Sequence, residues 1–335
     1  MPHIRPTAVA LAAALLAAAS SLSAQQASGT YRLAGSQVAV YNLAGTVSLV
    51  AGNGNELVVG VTAQGADASA LRVETGDVRG HQAFRVIYPD GDLVYPDLGP
   101  HSETRLRVSE DGTFGDDGGR GREVRISGSG RGTRASADLE LRVPKGQSVE
   151  VYLGVGKVSV RNVNGNISVD VAAASVDVDG LDGDFTLDAG SGPVRLADIQ
   201  GNHLSLDTGS GKITATDVNA AAISLDTGSG DVMLDGVTSS DLSLDTGSGD
   251  VTLRLNSDVD RLALDSGSGS VTIYAPVDLG AQLSVDGGSG DIDIQLPLMN
   301  RVSDDDDDIL HGTLGDGIGR ITIDSGSGDV RILKR

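Results

Sequence analysis

The chain has 335 residues, including 47 glycines, and it contains no cysteine, no tryptophan and only 3% aromatic residues. The absence of cysteine excludes disulfides, thiolate nucleophiles and cysteine-based metal sites, and the scarcity of aromatic residues predicts an aliphatic core. A net charge of -21 argues against affinity for nucleic acid phosphates or anionic lipid surfaces.

Residues 1–24 have the pattern of a secretory signal peptide. His3 and Arg5 form a short polar start, an alanine and leucine run covers residues 8–19, and small residues lead to Ala24. Such a run is too short, and flanked by the wrong residues, for a membrane-spanning helix. We expect cleavage after Ala24, no transmembrane segment in the mature chain, and export to the periplasm, the cell surface or the medium.

Residues 25–150 form a less regular region that is rich in predicted strands. Apolar and polar residues alternate in the segments 37–63, 81–89 and 137–144, which is typical of strands. The glycine-, aspartate- and arginine-rich segment 90–134 predicts long loops. We expect this region to form imperfect β-coils that cap the regular part of the chain.

Residues 151–335 contain an internal repeat of about 19 residues. The aspartate two positions before a Gly-Ser-Gly turn marks each copy, and its steps are 19, 19, 19, 20, 21 and 38 residues. Weaker copies continue backwards in steps of 18 residues to Tyr152. The last step of 38 contains an inserted acidic loop near residues 300–318. The marker residues are Asp188, Asp207, Asp226, Asp245, Asp265, Asp286 and Asp324.

One repeat, the segment 242–253 (LSLDTGSGDVTL), shows the local structure that is expected. Leu242 and Leu244 alternate with polar residues, the glycines allow a sharp bend, and Val251 begins a second short strand. The apolar positions of this and the neighbouring repeats are predicted to point inwards: Val194, Leu196, Leu204, Leu206, Val232, Leu234, Leu242, Leu244, Val271, Ile273, Leu283 and Val285.

Two short strands cannot bury an apolar face alone, whereas stacked copies form a continuous aliphatic column. The expected fold is therefore all-β, a parallel β-solenoid (β-helix) with coils of about 19 residues. Nine or ten coils at a strand spacing of roughly 4.8 Å give a rod on the order of 45 Å long. An up-and-down antiparallel sheet is the alternative.

The sequence SLDTGSGD resembles the catalytic aspartate of aspartic peptidases, but its repetition argues against that chemistry. Acid peptidases need two carboxylates that share one proton. Copies at 19-residue spacing instead predict a ladder of aspartates, one strand spacing apart, on the outer face of the solenoid.

Calcium binding is a further hypothesis, because outward carboxylates supply the oxygen ligands that Ca²⁺ takes. Against it, the repeat lacks the nine-residue calcium pattern of β-rolls, so hydrated turn aspartates are the simpler interpretation. No other cofactor is expected. The candidate calcium ligands are Asp231, Asp250, Asp291, Asp329, Asp304, Asp305 and Asp306, with Asp116 and Asp117 as weaker candidates.

An enzyme on a β-helix, such as a polysaccharide lyase or hydrolase, is the alternative from another functional class. The four histidines of the mature chain lie in unrelated contexts, and we find no catalytic triad. Phe84, Tyr88 and Tyr95 form the only local aromatic group that could bind a sugar, and covering the first coils is the simpler role. We therefore expect no catalytic residues and a non-enzymatic protein.

Three segments carry a resemblance to a known family: YNLAGTVSLVAGNGNELVVGVTA, VPKGQSVEVYLGVGKVSV and HGTLGDGIGRITIDSGSGDVRIL. They resemble the bacterial "putative adhesin" domains of unknown function, over residues 37–333. The resemblance implies an exported β-solenoid with an adhesin-like or envelope-scaffolding role. Its partner is expected to be an envelope component, a surface protein or a glycan, and not a nucleic acid.

Overall fold

The computed structural model describes residues 25–26, 28–115, 121–304 and 308–335. Within these ranges it contains 26 strands, two short 3-10 turns and no α-helix, which confirms the all-β prediction. The predicted signal peptide and four of the acidic candidates (Asp116, Asp117, Asp305 and Asp306) lie outside the described residues. No described helix has the length and apolar character that crossing a membrane requires.

The N-terminal half contains ten strands and both 3-10 turns, Ala68–Ala70 and Pro96–Leu98. The strands are β1 (Gln25–Gln26), β2 (Gly29–Ala34), β3 (Gln37–Ala51), β4 (Glu56–Gln64), β5 (Arg72–Val78), β6 (His81–Ile87), β7 (Leu93–Val94), β8 (Glu103–Val108), β9 (Arg122–Ser127) and β10 (Ser136–Val143).

The rest of the chain contains sixteen strands, several of which run through a coil corner. They are β11 (Ser148–Asn164), β12 (Ile167–Asp182), β13 (Phe185–Ser191), β14 (Val194–Ser210), β15 (Ile213–Ser229), β16 (Val232–Thr238), β17 (Asp241–Ser248), β18 (Val251–Leu255), β19 (Arg261–Ser268), β20 (Val271–Ala275), β21 (Ala281–Asp286), β22 (Ile292–Ile294), β23 (Leu298–Ser303), β24 (Ile309–Leu314), β25 (Gly319–Ser325) and β26 (Val330–Lys334).

The repeats stack as a parallel β-solenoid, as the sequence predicts. Leu204 pairs in parallel with Ile223, and Ile223 with Leu242, each one repeat further along the chain. All twelve residues predicted to point inwards are buried. The antiparallel alternative is therefore wrong for the repeats, because equivalent residues of successive coils are hydrogen-bonded neighbours.

The coils do not stack in chain order at the C-terminal end, which corrects the expectation that Asp286 follows Asp265. Asp265 of β19 pairs with Asp324 of β25, and Asp324 pairs on its other side with Asp286 of β21. The last coil of the chain is thus inserted between two coils that precede it. The 21-residue step from Asp265 to Asp286 looks like one period in the sequence, yet it spans two strand spacings.

Antiparallel strands close both ends of the solenoid. At the C-terminal end, β21 pairs antiparallel with β24, which pairs antiparallel with β23. At the N-terminal end, β3 pairs in parallel with both β6 and β10. Strand β6 then pairs antiparallel with β5, and β10 pairs antiparallel with β4. Such strands cover the open edges that a solenoid would otherwise expose to other chains.

The segment 90–134, predicted as long loops, contains a small three-stranded sheet of β7, β8 and β9. Strand β9 lies in the middle, pairing antiparallel with β8 and in parallel with β7. Val124 and Ile126 of β9 are buried in the main core. The alternation of charged and apolar residues in these strands is real, but the surrounding glycines and aspartates obscured it in the sequence.

A column of buried hydroxyl groups lies beside the aliphatic core, one residue after five of the seven marker aspartates. Thr208 Oγ1 donates a hydrogen bond to Thr227 Oγ1 at 2.9 Å. Ser266 Oγ donates to the Gly269 carbonyl at 3.2 Å, and Ser325 Oγ to the Gly328 carbonyl at 2.9 Å. Among the described residues, the Thr246 hydroxyl is buried without a hydrogen-bond partner.

We expect Thr246→Val to raise the free energy of unfolding by about 1 kcal/mol, because it removes a buried polar group that has no partner while keeping its shape. Urea unfolding followed by circular dichroism measures this difference. Thr208→Val is the matched control, since it removes a hydroxyl that does donate a hydrogen bond. It should lower the free energy of unfolding by about 1 kcal/mol, so equal effects of the two variants would contradict the prediction.

Candidate functional site

Eight aspartates form one straight column on the outer face of the solenoid, here called the aspartate ladder. Each pairs in register with the next on adjacent parallel strands, so neighbouring α-carbons are roughly 4.8 Å apart and the column is about 34 Å long. The alternation that buries the leucines turns these side chains outwards. In spatial order the members are Asp170, Asp188, Asp207, Asp226, Asp245, Asp265, Asp324 and Asp286.

Two tyrosines continue the column at its N-terminal end. Tyr152 precedes Asp170 in the ladder, and Tyr41 precedes Tyr152. Their rings are stacked with centroids 4.4 Å apart, and Phe114 packs edge-on against both rings. Burial raises the pKa of Tyr152 above its usual value. The acidic face therefore ends at a compact aromatic cluster.

The middle of the ladder is a row of uncompensated negative charge. Within the described residues, no lysine or arginine forms an ion pair with Asp207, Asp226, Asp245 or Asp265. Burial, followed by the charges of Asp226 and Asp265, raises the pKa of Asp245. The neighbouring column on the same face consists mainly of short serine and threonine side chains (Ser168, Thr186, Ser205, Ser224, Ser243, Thr322 and Ser284), which leave the carboxylates accessible.

This repulsion predicts a pH-dependent stability. Because the folded pKa of Asp245 lies above the usual aspartate value of about 3.9, the folded state binds more protons between the unfolded and folded pKa values, and stability falls as the pH rises through that window. We expect Asp245→Asn to raise the free energy of unfolding at pH 7 by about 0.2 to 1 kcal/mol. The gain should shrink as the pH falls through the folded pKa of Asp245, because the wild-type carboxyl group then becomes neutral as well.

Asp177 is the matched control, because Arg161 binds both of its carboxylate oxygens at 3.1 Å. That hydrogen bonding lowers the pKa of Asp177, so this group stabilises the fold at neutral pH and loses its contribution as the pH falls through the folded pKa. Asp177→Asn should therefore destabilise the protein at pH 7. Urea unfolding at pH 7 and at pH 3.5 compares the two variants, and effects of the same sign at pH 7 would contradict this assignment.

The ladder also explains why SLDTGSGD is not an acid peptidase motif here. Asp207, Asp226 and Asp245 lie on successive coils, all exposed on a continuous strand face. The peptidase dyad requires two loops that meet in a cleft and share one proton between two carboxylates. The motif in this chain makes a coil corner instead.

The candidate calcium ligands occupy a second column, at the corner that follows each Gly-Ser-Gly turn. Asp231 and Asp250 are neighbours, Ser270 follows, and Asp329 and Asp291 complete the column. The carboxylate of Asp231 accepts a hydrogen bond from the Asp250 N–H at 3.4 Å. In the same way, the Asp250 carboxylate accepts from the Ser270 N–H at 2.9 Å, and the Asp329 carboxylate accepts from the Asp291 N–H at 3.2 Å. The carboxylates of Asp231, Asp250 and Asp329 thus bind the backbone of the adjacent coil.

Asp304 lies apart from that column, directly after β23, and its carboxylate accepts a hydrogen bond from the Ile309 N–H. Within the described ranges, no group of three or more histidine, aspartate or glutamate side chains is arranged to hold a metal ion. Calcium binding stays a prediction, which melting with and without a chelator tests.

The residues considered for catalysis are dispersed or buried. His81, His101, His203 and His311 lie on separate elements. Phe84 and Tyr88 are buried in the core, and the Tyr88 hydroxyl lies within donating distance of two acceptors, Asn42 Oδ1 at 2.8 Å and the Ala44 carbonyl at 2.9 Å. Tyr95 alone of the predicted aromatic group remains partly exposed. Phe84 and Tyr88 are therefore inaccessible to a sugar, and the three rings do not form a shared aromatic platform.

Comparison with known proteins gives a family and one solved structure. The crystal structure of a "putative cell adhesion protein" from Clostridium sporogenes aligns with 92% of this chain and 98% of that chain, at 8% identity and a TM-score of 0.19. No curated protein is significantly similar to the chain. The family model described as Toastrack DUF4097 matches residues 106–333, which is well over half of the sequence. The chain belongs to the Toastrack DUF4097 family.

Proposed function

We propose that this protein is an exported, non-enzymatic, adhesin-like β-solenoid that binds a positively charged partner through the aspartate ladder. The observation that carries the proposal is the column of eight aspartates, whose central members have no ion-pair partner in the described chain. Partners of matching chemistry are a basic segment of an envelope or surface protein and an amino-sugar glycan.

The geometry of the ladder supports binding of an extended partner. Strand pairing holds each carboxylate at a repeated spacing of roughly 4.8 Å, so a partner with regularly spaced cations can contact several carboxylates at once. Contacts repeated along one rigid surface add avidity even where each ion pair is weak. After burial, the charges of Asp226 and Asp265 are the next causes of the raised pKa of Asp245, and this repulsion within the row is relieved when a cation binds.

Fluorescence anisotropy with labelled poly-L-lysine tests the proposal. We expect salt-sensitive binding that the triple variant Asp226→Asn, Asp245→Asn, Asp265→Asn weakens about tenfold, which is about 1.4 kcal/mol. The control is Asp198→Asn, Asp217→Asn, Asp258→Asn, which removes the same charge from exposed positions outside the ladder. If both triple variants weaken binding equally, net charge explains the binding and the ladder has no special role.

Export requires its own test, because it rests on the sequence of residues 1–24. We expect the protein, expressed from its full coding sequence in a Gram-negative host, to be recovered outside the cytoplasm with residue 25 at its N-terminus. Cell fractionation and N-terminal sequencing measure both. A cytoplasmic, unprocessed product would remove export from the proposal while leaving the binding surface untouched.

A further inference from the structure

A groove lies between the solenoid and the small sheet β7–β9, and none of the ladder aspartates lines it. Its volume is about 880 Å³, which is within the range of small-molecule sites. Its floor is a row of coil corners, and its wall is the segment 95–103. No part of the proposed ladder function uses this groove.

The floor of the groove follows the axis of the solenoid. Thr46, Lys157, Ser175 and Pro193 occupy equivalent corner positions of four successive coils. They are therefore about 4.8 Å apart, and the row extends over about 14 Å. A floor of this kind is long, rigid and narrow, and it suits a short linear ligand.

The wall of the groove is held in place by backbone hydrogen bonds. The Tyr95 N–H donates to the Ser127 carbonyl of β9 at 2.8 Å, and the Gly128 N–H donates to the Ser102 carbonyl at 3.0 Å. Inside the wall, the Leu98 N–H donates to the Tyr95 carbonyl at 3.1 Å. A site held in this way needs little reorganisation when a ligand enters.

The side chains of the groove combine one aromatic ring with closely mixed donors and acceptors. Tyr95 presents a partly exposed ring, and burial together with the negative charge of Asp97 raises its pKa to about 12, so the phenol stays protonated. Lys157 and the serines supply donors, while Asp97 and Glu103 supply acceptors.

We propose that this groove binds a neutral oligosaccharide, with a sugar ring resting on Tyr95 and hydroxyl groups bound by Asp97, Glu103 and Lys157. Each sugar hydroxyl both donates and accepts a hydrogen bond, which matches the alternating donors and acceptors of the lining. Lys157 offsets one of the two carboxylate charges, and Arg105 pairs with Glu103 at 3.0 Å, so the groove has no strong preference for a charged ligand.

A peptide fits this groove less well. The strands that contribute Lys157 and Ser175 are paired with a neighbouring strand on both sides, so the floor has no free strand edge to which an extended peptide could add. The apolar lining residues are the small or partly covered Leu98, Ala173, Ala174 and Pro193, which form no deep pocket for the apolar anchors of a helix.

Isothermal titration calorimetry with cellotetraose, chitotetraose and maltotetraose tests the proposal on the purified protein. We expect at least one of them to bind with a millimolar or lower Kd, and Tyr95→Ala to weaken that binding at least tenfold. Ser175→Trp fills the groove from the floor without altering the wall, and it should abolish binding. Tyr274→Ala is the matched control, because Tyr274 is partly exposed on β20, outside the groove.

The outcomes separate this site from the aspartate ladder. We expect Tyr95→Ala and Ser175→Trp to lose sugar binding while poly-L-lysine binding and the melting temperature stay unchanged. That result supports the groove as the oligosaccharide site. The proposal is overturned if none of the three oligosaccharides binds at millimolar concentration. It is overturned equally if binding persists in Ser175→Trp, or if Tyr274→Ala weakens it as much as Tyr95→Ala does.

Discussion

Gly249→Ala is expected to lower the free energy of unfolding by about 2 to 6 kcal/mol, although it adds a single methyl group. Gly249 has a φ of +130°, which L-residues with a side chain rarely adopt, and an added Cβ would lie 2.3 Å from the Gly230 carbonyl oxygen of the adjacent coil. The effect combines backbone strain with a clash against main-chain atoms that the solenoid holds in place. Urea unfolding of the variant and the wild type measures it.

Two control glycines separate the backbone strain of a positive φ from the steric clash of an added Cβ. Gly54 also has a positive φ, +98°, but an added Cβ meets no atom within 4 Å, so Gly54→Ala should cost only the strain, about 1 to 3 kcal/mol. At Gly60 the nearest atom, the Glu140 carbonyl oxygen, would be 3.8 Å away, and the substitution should be close to neutral. A Gly249→Ala protein as stable as Gly60→Ala would show that the coil corners are looser than this structure has them.

Local physics explains why the repeating part of the fold could be predicted from the sequence. Leu242 and Leu244 alternate with polar residues, and the glycines of the next turn allow the bend, so each repeat encodes its own strands and corner. The order of the last coils could not be predicted in the same way. Asp286 and Asp324 stand in nearly identical local sequences, and only long-range pairing places β25 between β19 and β21.

Of the two candidate sites, the aspartate ladder follows from local sequence and the groove depends on long-range packing. Side chains alternate between the two faces of a strand, and this alternation predicts that Asp207 and Asp226 point outwards. The same alternation predicts that Thr208 is buried, as it is in the structure. The groove, by contrast, brings Tyr95 beside Lys157 through the packing of the small sheet on the solenoid. No periodic pattern connects these two residues, and the glycine-rich residues around β8 and β9 had suggested loops.

Deleting residues 319–335 is expected to unfold the C-terminal end of the solenoid, although the deletion removes only the end of the chain. Strands β25 and β26 bury Ile321, Ile323, Val330 and Ile332, whose burial contributes on the order of 6 to 12 kcal/mol before the entropy of ordering is subtracted. They also provide the parallel partner of both β19 and β21. Hydrogen exchange should show loss of protection over residues 281–314 in the truncated protein, with protection retained in β11 to β15.

Cysteine cross-linking tests the underlying coil order in the intact protein, because the chain has no cysteine of its own. Asp265 and Asp324 are in-register neighbours, so their α-carbons are roughly 4.8 Å apart, within the range that a disulfide spans. The double variant Asp265→Cys, Asp324→Cys should therefore oxidise to an intramolecular disulfide. Asp265→Cys, Asp286→Cys should not, since two strand spacings, about 9.6 Å, exceed that range. If the coils stacked in chain order, Asp265→Cys, Asp286→Cys would form the disulfide and Asp265→Cys, Asp324→Cys would not. Deleting residues 319–335 would then remove only a terminal coil, and β21 would stay in place.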